Sequence, residues 1–186
     1  MAFLRTLIHH PAIQPVRILI ATCCVVATTF SSAGTAQAAA NEYQIKAAFL
    51  FNFAKFVVWP SQAFPDANTP LVIGVLCQDP FGSYLDDIVR GERVDNRQLV
   101  IQRYHSPGEI KNCHVLFISR SESARLNQIV SSLKYRNLLI VTDADGGDGG
   151  VIIRFVNEGN RIRFKIDAQA AKAANLTISS KLMRLG

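Results

Sequence analysis

The stretch Lys46-Ala-Ala-Phe-Leu-Phe-Asn-Phe-Ala-Lys-Phe-Val-Val-Trp-Pro60 constrains this chain most, because it is too apolar for a helix that covers a single core. Only Lys46, Asn52 and Lys55 are polar in its first fourteen positions. At 100° per residue the apolar positions divide between two faces. Ala47, Leu50, Phe51, Ala54, Val57 and Val58 fall on one side, and Ile45, Phe49, Phe53 and Phe56 on the other, interrupted by Lys46 and Asn52. One face packs on a sheet. The other needs a second partner: another helix of the chain, a second subunit or a different protein. Pro60 is expected to end the helix, since it lacks a donor and disfavours helical geometry at Trp59.

The preceding residues read as an export signal. Arg5 and Arg17 form a basic region, Ile18 to Phe30 an apolar run, and Ala36-Gln37-Ala38 a small-x-small cleavage pattern, with cleavage expected after Ala38. The run falls short of the roughly 20 residues of a transmembrane helix, so the mature chain is not expected to insert into a membrane. Thr22 before Cys23 is a poor lipoprotein cleavage context, and no twin arginine is present. Residues 39–186 then form one domain of ordinary size, able to bury a full core.

Without Arg5 and Arg17 the mature segment carries 18 Lys and Arg against 14 Asp and Glu, a net charge of +4 with His neutral. These charges are scattered singly, which argues against a nucleic-acid surface.

Apolar runs and helical spacings alternate through the middle of the chain. Leu71 to Leu76 suits a buried strand, and Asp79-Pro80 behind it suggests an N-cap for a helix to about Val89. Gln98 to Tyr104 alternates as a strand, and His114 to Ile118 is another buried strand. Ser121 is the expected cap of a helix carrying Leu126, Ile129, Val130 and Leu133, and Leu138 to Val141 is a third buried run. Val151 to Asn157 and Arg161 to Ile166 flank Glu158-Gly159 as an antiparallel hairpin. Asp167 caps an alanine-rich helix ending near Asn175, and Thr177 is the expected cap of a last helix with Ile178, Leu182 and Leu185 on one stripe. That last stripe could cover the aromatic face of the first helix. The fold class is α/β: a single-domain layered sandwich with a mostly parallel central sheet, an antiparallel hairpin at one edge and helices on both faces.

Taken together, Ala47 to Pro60, Ile73-Gly74-Val75-Leu76 with Asp79-Pro80-Phe81-Gly82, Cys113 to Ser119, and Ile178 to Leu185 resemble the YfiR family. They occur in that family's order and cover essentially the whole mature chain. The resemblance implies a periplasmic protein that binds the periplasmic sensor region of an inner-membrane diguanylate cyclase and represses it, lowering cyclic di-GMP and biofilm formation. On this reading Ile45, Phe49, Phe53, Phe56 and Trp59 form an interaction or homodimer surface.

The family's better known members carry one disulfide from the first buried strand to the cysteine before His114 and a second near the turn and hairpin. Here the mature segment has only Cys77 and Cys113, and the strand position that matches the family's cysteine is Gly74. An exported setting favours a Cys77–Cys113 bridge. In neighbouring parallel strands, however, the two are displaced by roughly 10 Å, beyond the about 7 Å that disulfide Cα atoms span. A bridge, two thiols and an intersubunit bond all remain open at this point.

Other chemical signals are weak. Asp143, Asp145 and Asp148 fail the spacing of a calcium loop, and Gly146-Gly147-Asp148 lacks the acidic continuation of a cyclase signature. His105 and His114 have neither a nucleophile motif nor metal-ligand spacing beside them, and His114 at the start of a buried strand reads as structural. No catalytic residue, metal or cofactor is expected. The alternative function is a periplasmic protein that binds a small anion or metabolite in a crevice at the carboxyl ends of the strands, beside Asp79, Phe81 and Gly82.

Overall fold

Runs such as Leu71–Leu76 and Val115–Ile118 carry no polar side chain, so they fold only where both faces of a sheet are covered. A computed structural model of the chain places them there. It describes residues 33–133, 137–147, 149–159 and 161–186, with side chains from residue 37 onward. Arg5, Arg17 and Ile18 to Phe30 lie outside the described residues, whereas Ala36-Gln37-Ala38 lies within the first helix. The unit described below comprises Ala39–Gly186.

In chain order the elements are α1 (Ala33–Phe56), β1 (Val57–Val58), β2 (Leu71–Leu76), α2 (Ser83–Val89), β3 (Arg93–Val94), β4 (Arg97–Tyr104), β5 (Val115–Ile118), α3 (Leu126–Ser132), β6 (Leu139–Thr142), β7 (Ile153–Glu158), β8 (Arg161–Ile166), α4 (Ala168–Ala173), β9 (Thr177–Ile178) and α5 (Ser180–Met183). Seven strands form one sheet in the order β3-β4-β2-β5-β6-β7-β8, and β1 pairs with β9 in a separate ribbon. The four pairs from β4 to β7 are parallel, and β3–β4 and β7–β8 are antiparallel. The expected α/β sandwich, with its edge hairpin, is the observed fold.

Alternation along the strands divides the core in two. Ile73, Val75, Val115, Phe117, Leu139 and Val141 face α1, α2, the hairpin and the C-terminal helices. Leu76, Leu116, Ile118 and Ile140 face Leu126 and Ile129 of α3 on the opposite side. Helices therefore cover both faces, as a sheet buried on two sides requires.

Several local expectations change. Phe56 ends α1, and Val57 and Val58 leave the helix to pair with Ile178 and Thr177. Thr177 is thus a strand residue, and α5 is capped by Ser179, whose hydroxyl accepts from Leu182 N–H at 3.2 Å. Asp79 does not cap α2; its carboxylate accepts from Phe81 N–H at 2.8 Å, and α2 begins after Gly82. Ser119, not Ser121, caps the 3₁₀ turn that leads into α3. Asp167 caps α4 as expected, accepting from Gln169 and Ala170 N–H at 2.9 Å each.

The buried stripe of α1 comprises Lys46, Ala47, Leu50, Phe53 and Ala54, and Val57 continues it into β1. Phe53, expected on the second face, is fully enclosed by Phe155 and Phe164 at 5.8 and 5.1 Å between ring centroids. Lys46 explains the shift. Treated as a polar interruption it separates two faces, but it is itself buried and centres the stripe, which then reaches round to Phe53.

Candidate interaction surface

Burying a lysine is tolerated only if its charge is paired and its protons are accepted. Lys46 Nζ lies 2.6 Å from Asp143 Oδ2 and 2.5 Å from Glu42 Oε1. Tyr43 donates its hydroxyl to Asp143 at 2.9 Å, and the backbone N–H of Arg120 donates to the other carboxylate oxygen at 2.6 Å. The Arg120 guanidinium reaches both Asp143 and Glu42. Burial alone would raise the Asp143 carboxyl, but Lys46, Tyr43 and Arg120 outweigh it and hold the group below the ordinary carboxylate range. Burial and the adjacent Asp143 push the Tyr43 hydroxyl up to about 12.

This network lies beside the expected crevice. Asp143 follows β6 directly and Arg120 follows β5 by two residues, so Glu42, Tyr43 and Lys46 pin α1 across the carboxyl ends of the parallel strands. Tyr43 meets Phe81 edge-on at 5.6 Å, and Phe81 packs on Phe117 at 4.8 Å. Asp79 is occupied by Arg103 Nε at 2.7 Å, and the Gly82 carbonyl accepts from the same guanidinium at 2.9 Å. Asp79 and Gly82 are thus engaged by Arg103, and Phe81 by Tyr43 and Phe117, while Gly82 itself stays exposed.

Asp143 is also the residue that sequence reasoning misassigned. It belongs by spacing to the turn aspartates, yet its side chain is 2 % exposed. Asp145 is exposed, Asp148 lies outside the described residues, and Arg154 ties the turn by donating to the carbonyls of Ala144 and Gly147. No group of three or more His, Cys, Asp or Glu among the described residues could hold a metal ion.

His114 is structural. Its Nδ1 accepts from Val72 N–H at 3.1 Å, its Nε2 pairs with the Ala63 carbonyl at 3.1 Å, and its ring stacks on Phe64 at 4.4 Å. These partners select the neutral ring carrying its proton on Nε2. Burial pushes the pKa down, and the Arg97 charge adds to that against the opposing Ala63 carbonyl.

Of the alternatives left open, the structure shows no bridge between Cys77 and Cys113, and both are free thiols. Ile73 pairs with Val115 and Leu76 with Ile118, so Cys113 enters at one end of the β2–β5 pair and Cys77 leaves at the other. Cys113 is half-buried, and desolvation pushes its thiol up to about 12. A Cβ placed on Gly74 would lie 2.7 Å from Cys113 Sγ. The empty partner position is therefore Gly74, not Cys77.

One open surface is apolar. Ile45 is 49 % exposed and Leu185 54 %. With Phe49, Ile162 and Phe164, and bordered by Arg161 and Arg163, they line an open groove of about 450 Å³ between α1, β8 and the C-terminal segment. Phe49 forms the groove wall over Phe164, at 5.3 Å between centroids. Phe56 is half-covered by the C-terminal segment, with Lys181 Nζ 4.9 Å from its ring, and Trp59 packs edge-on against His114 at 6.2 Å. Of the five residues expected to form one surface, Ile45 and Phe49 share the groove, Phe53 lies beneath it, and Phe56 and Trp59 lie at the far end of α1. No helix among the described residues is long and apolar enough to cross a membrane.

No curated protein matches the chain. The YfiR/HmsC-like family model matches residues 43–186, from the helical turn that carries Tyr43 and Lys46 through the groove to the last residue, and the chain belongs to that family of periplasmic regulators in cyclic di-GMP signalling.

Proposed function

We propose that this protein is exported by its N-terminal signal and represses an inner-membrane diguanylate cyclase by docking on that enzyme's periplasmic sensor region. Binding would hold the cyclase in its inactive arrangement, without chemistry on either partner. The observation that carries the reading is the exposed apolar groove between Ile45 and Leu185, in a chain of a regulatory family. Large apolar side chains grouped around a concave surface are the usual anchors of a protein interface.

Self-association is a second assembly. The β1–β9 ribbon leaves Val58 59 % exposed, an apolar position that a second copy could cover.

The test is cellular. Deleting the gene should raise cyclic di-GMP and biofilm mass, and expression of the chain should lower both again. An unchanged cyclic di-GMP level on deletion overturns the proposal.

A further inference from the structure

The groove borders the end of the sheet. β8 pairs with β7 from Ile153↔Ile166 to Glu158↔Arg161, and among the described residues no strand pairs with its other edge. Such an edge offers backbone donors and acceptors to an incoming strand. Its side chains alternate in chemistry as well as direction: Ile162, Phe164 and Ile166 pack on the core side, while Arg161, Arg163 and Lys165 alternate toward the other face and are exposed, with Arg161 and Arg163 also bordering the groove. One carboxylate, Glu158, lies 3.9 Å from Arg163 Nε, so the outer face keeps an excess of positive charge.

We propose that the free edge of β8 takes up an extended segment of a partner protein whose side chains alternate between apolar and acidic. The segment's apolar residues would enter the groove beside Ile45 and Leu185, and its carboxylates would face Arg161, Arg163 and Lys165. This deepens the docking reading above and rests on it. A second copy of the chain is the wrong occupant. Two β8 edges paired about a two-fold axis bring Arg161, Arg163 and Lys165 of both copies together, and like charges across a strand pair are destabilising. The cations that keep two copies apart thus select an acidic strand.

The experiment uses fluorescence anisotropy with labelled ten-residue peptides of alternating valine and glutamate, or of alternating valine and lysine. The glutamate peptide should bind the protein at least tenfold more tightly than the lysine peptide, and added salt should weaken it. In a chain carrying Arg161→Glu, Arg163→Glu and Lys165→Glu the preference should invert, which a merely unfolded variant could not produce. No binding by either peptide, equal binding of both, or an unchanged preference in the reversed chain overturns the proposal. So does a dimer, by light scattering, that shields β8 from both peptides. If the charge-reversed chain still restores low cyclic di-GMP in the deletion strain, this surface is wrong and the regulatory reading stands. An unchanged level in the deletion strain itself defeats the regulatory reading, whatever the peptides do.

Discussion

Lys46 Nζ and Asp143 Oδ2 lie 2.6 Å apart, although 97 residues separate them in the chain, and the lysine side chain is 1 % exposed. The pair joins the first helix to the end of β6. With Tyr43 and Glu42 it anchors α1, which carries Ile45 and Phe49 into the apolar groove at the hairpin.

A double-mutant cycle should expose the coupling. Removing either charge alone, as Lys46→Met or Asp143→Asn, leaves the other buried with its weaker partners, Tyr43 and Arg120 for Asp143 and Glu42 for Lys46, and should cost up to about 3 to 5 kcal/mol. Together the two changes should cost clearly less than the sum of the single losses. Urea unfolding measures all three; strict additivity would mean that the pair is not a unit.

Acid should loosen the protein through His114. Its pKa is lowered in the folded state, so the unfolded chain binds more protons and stability rises with pH. The contribution is complete above the unfolded value of about 6.5 and is lost as pH falls below it, with a slope of up to about 1.4 kcal/mol per pH unit for one proton. Melting temperature measured from pH 7.5 to 5 should therefore drop, and His114→Asn should flatten that part of the curve.

Thiol chemistry separates the two cysteine geometries. The unreduced, denatured protein should show two reactive thiols per chain. Gly74→Cys should pair with Cys113, leaving one thiol, provided that the Tyr104 ring, 2.7 Å from the new Cβ, gives way. In the chain-entropy model that closure stabilises by about 3 to 4 kcal/mol. Three free thiols in oxidised Gly74→Cys protein would contradict the placement of Gly74 against Cys113.

Positions along α1 should respond differently to a charge. Phe53→Asp should unfold the protein, because the side chain is enclosed by Phe155 and Phe164. Ile45→Asp should change stability by no more than about 0.5 kcal/mol, as is usual for an exposed site. Circular dichroism and thermal melts distinguish the two.

The strands were legible because uninterrupted apolar runs admit few other fates, and the hairpin because its alternation reports one buried face. The exchange at the end of α1 was not. Val57 and Val58 continue the apolar helical spacing of α1, which outweighed their β-branched preference for a strand, and their partners Ile178 and Thr177 are remote in sequence. Lys46 and Asp143 were hidden for a related reason. Lysine in a helix and aspartate before a glycine-rich turn each have an ordinary solvated explanation, and neither residue alone reports the other. Ile45 and Phe49 carried a signal in the helical period, whereas their groove depends on the hairpin and on Leu185, which periodicity cannot bring together.

The most direct test is binding between this protein and the periplasmic sensor domain of a membrane diguanylate cyclase from the same cell, measured by isothermal titration calorimetry. A stoichiometric complex with a negative heat-capacity change, lost in folded Ile45→Asp protein, is the predicted result. No heat of binding to that domain, or full affinity in Ile45→Asp, would contradict it.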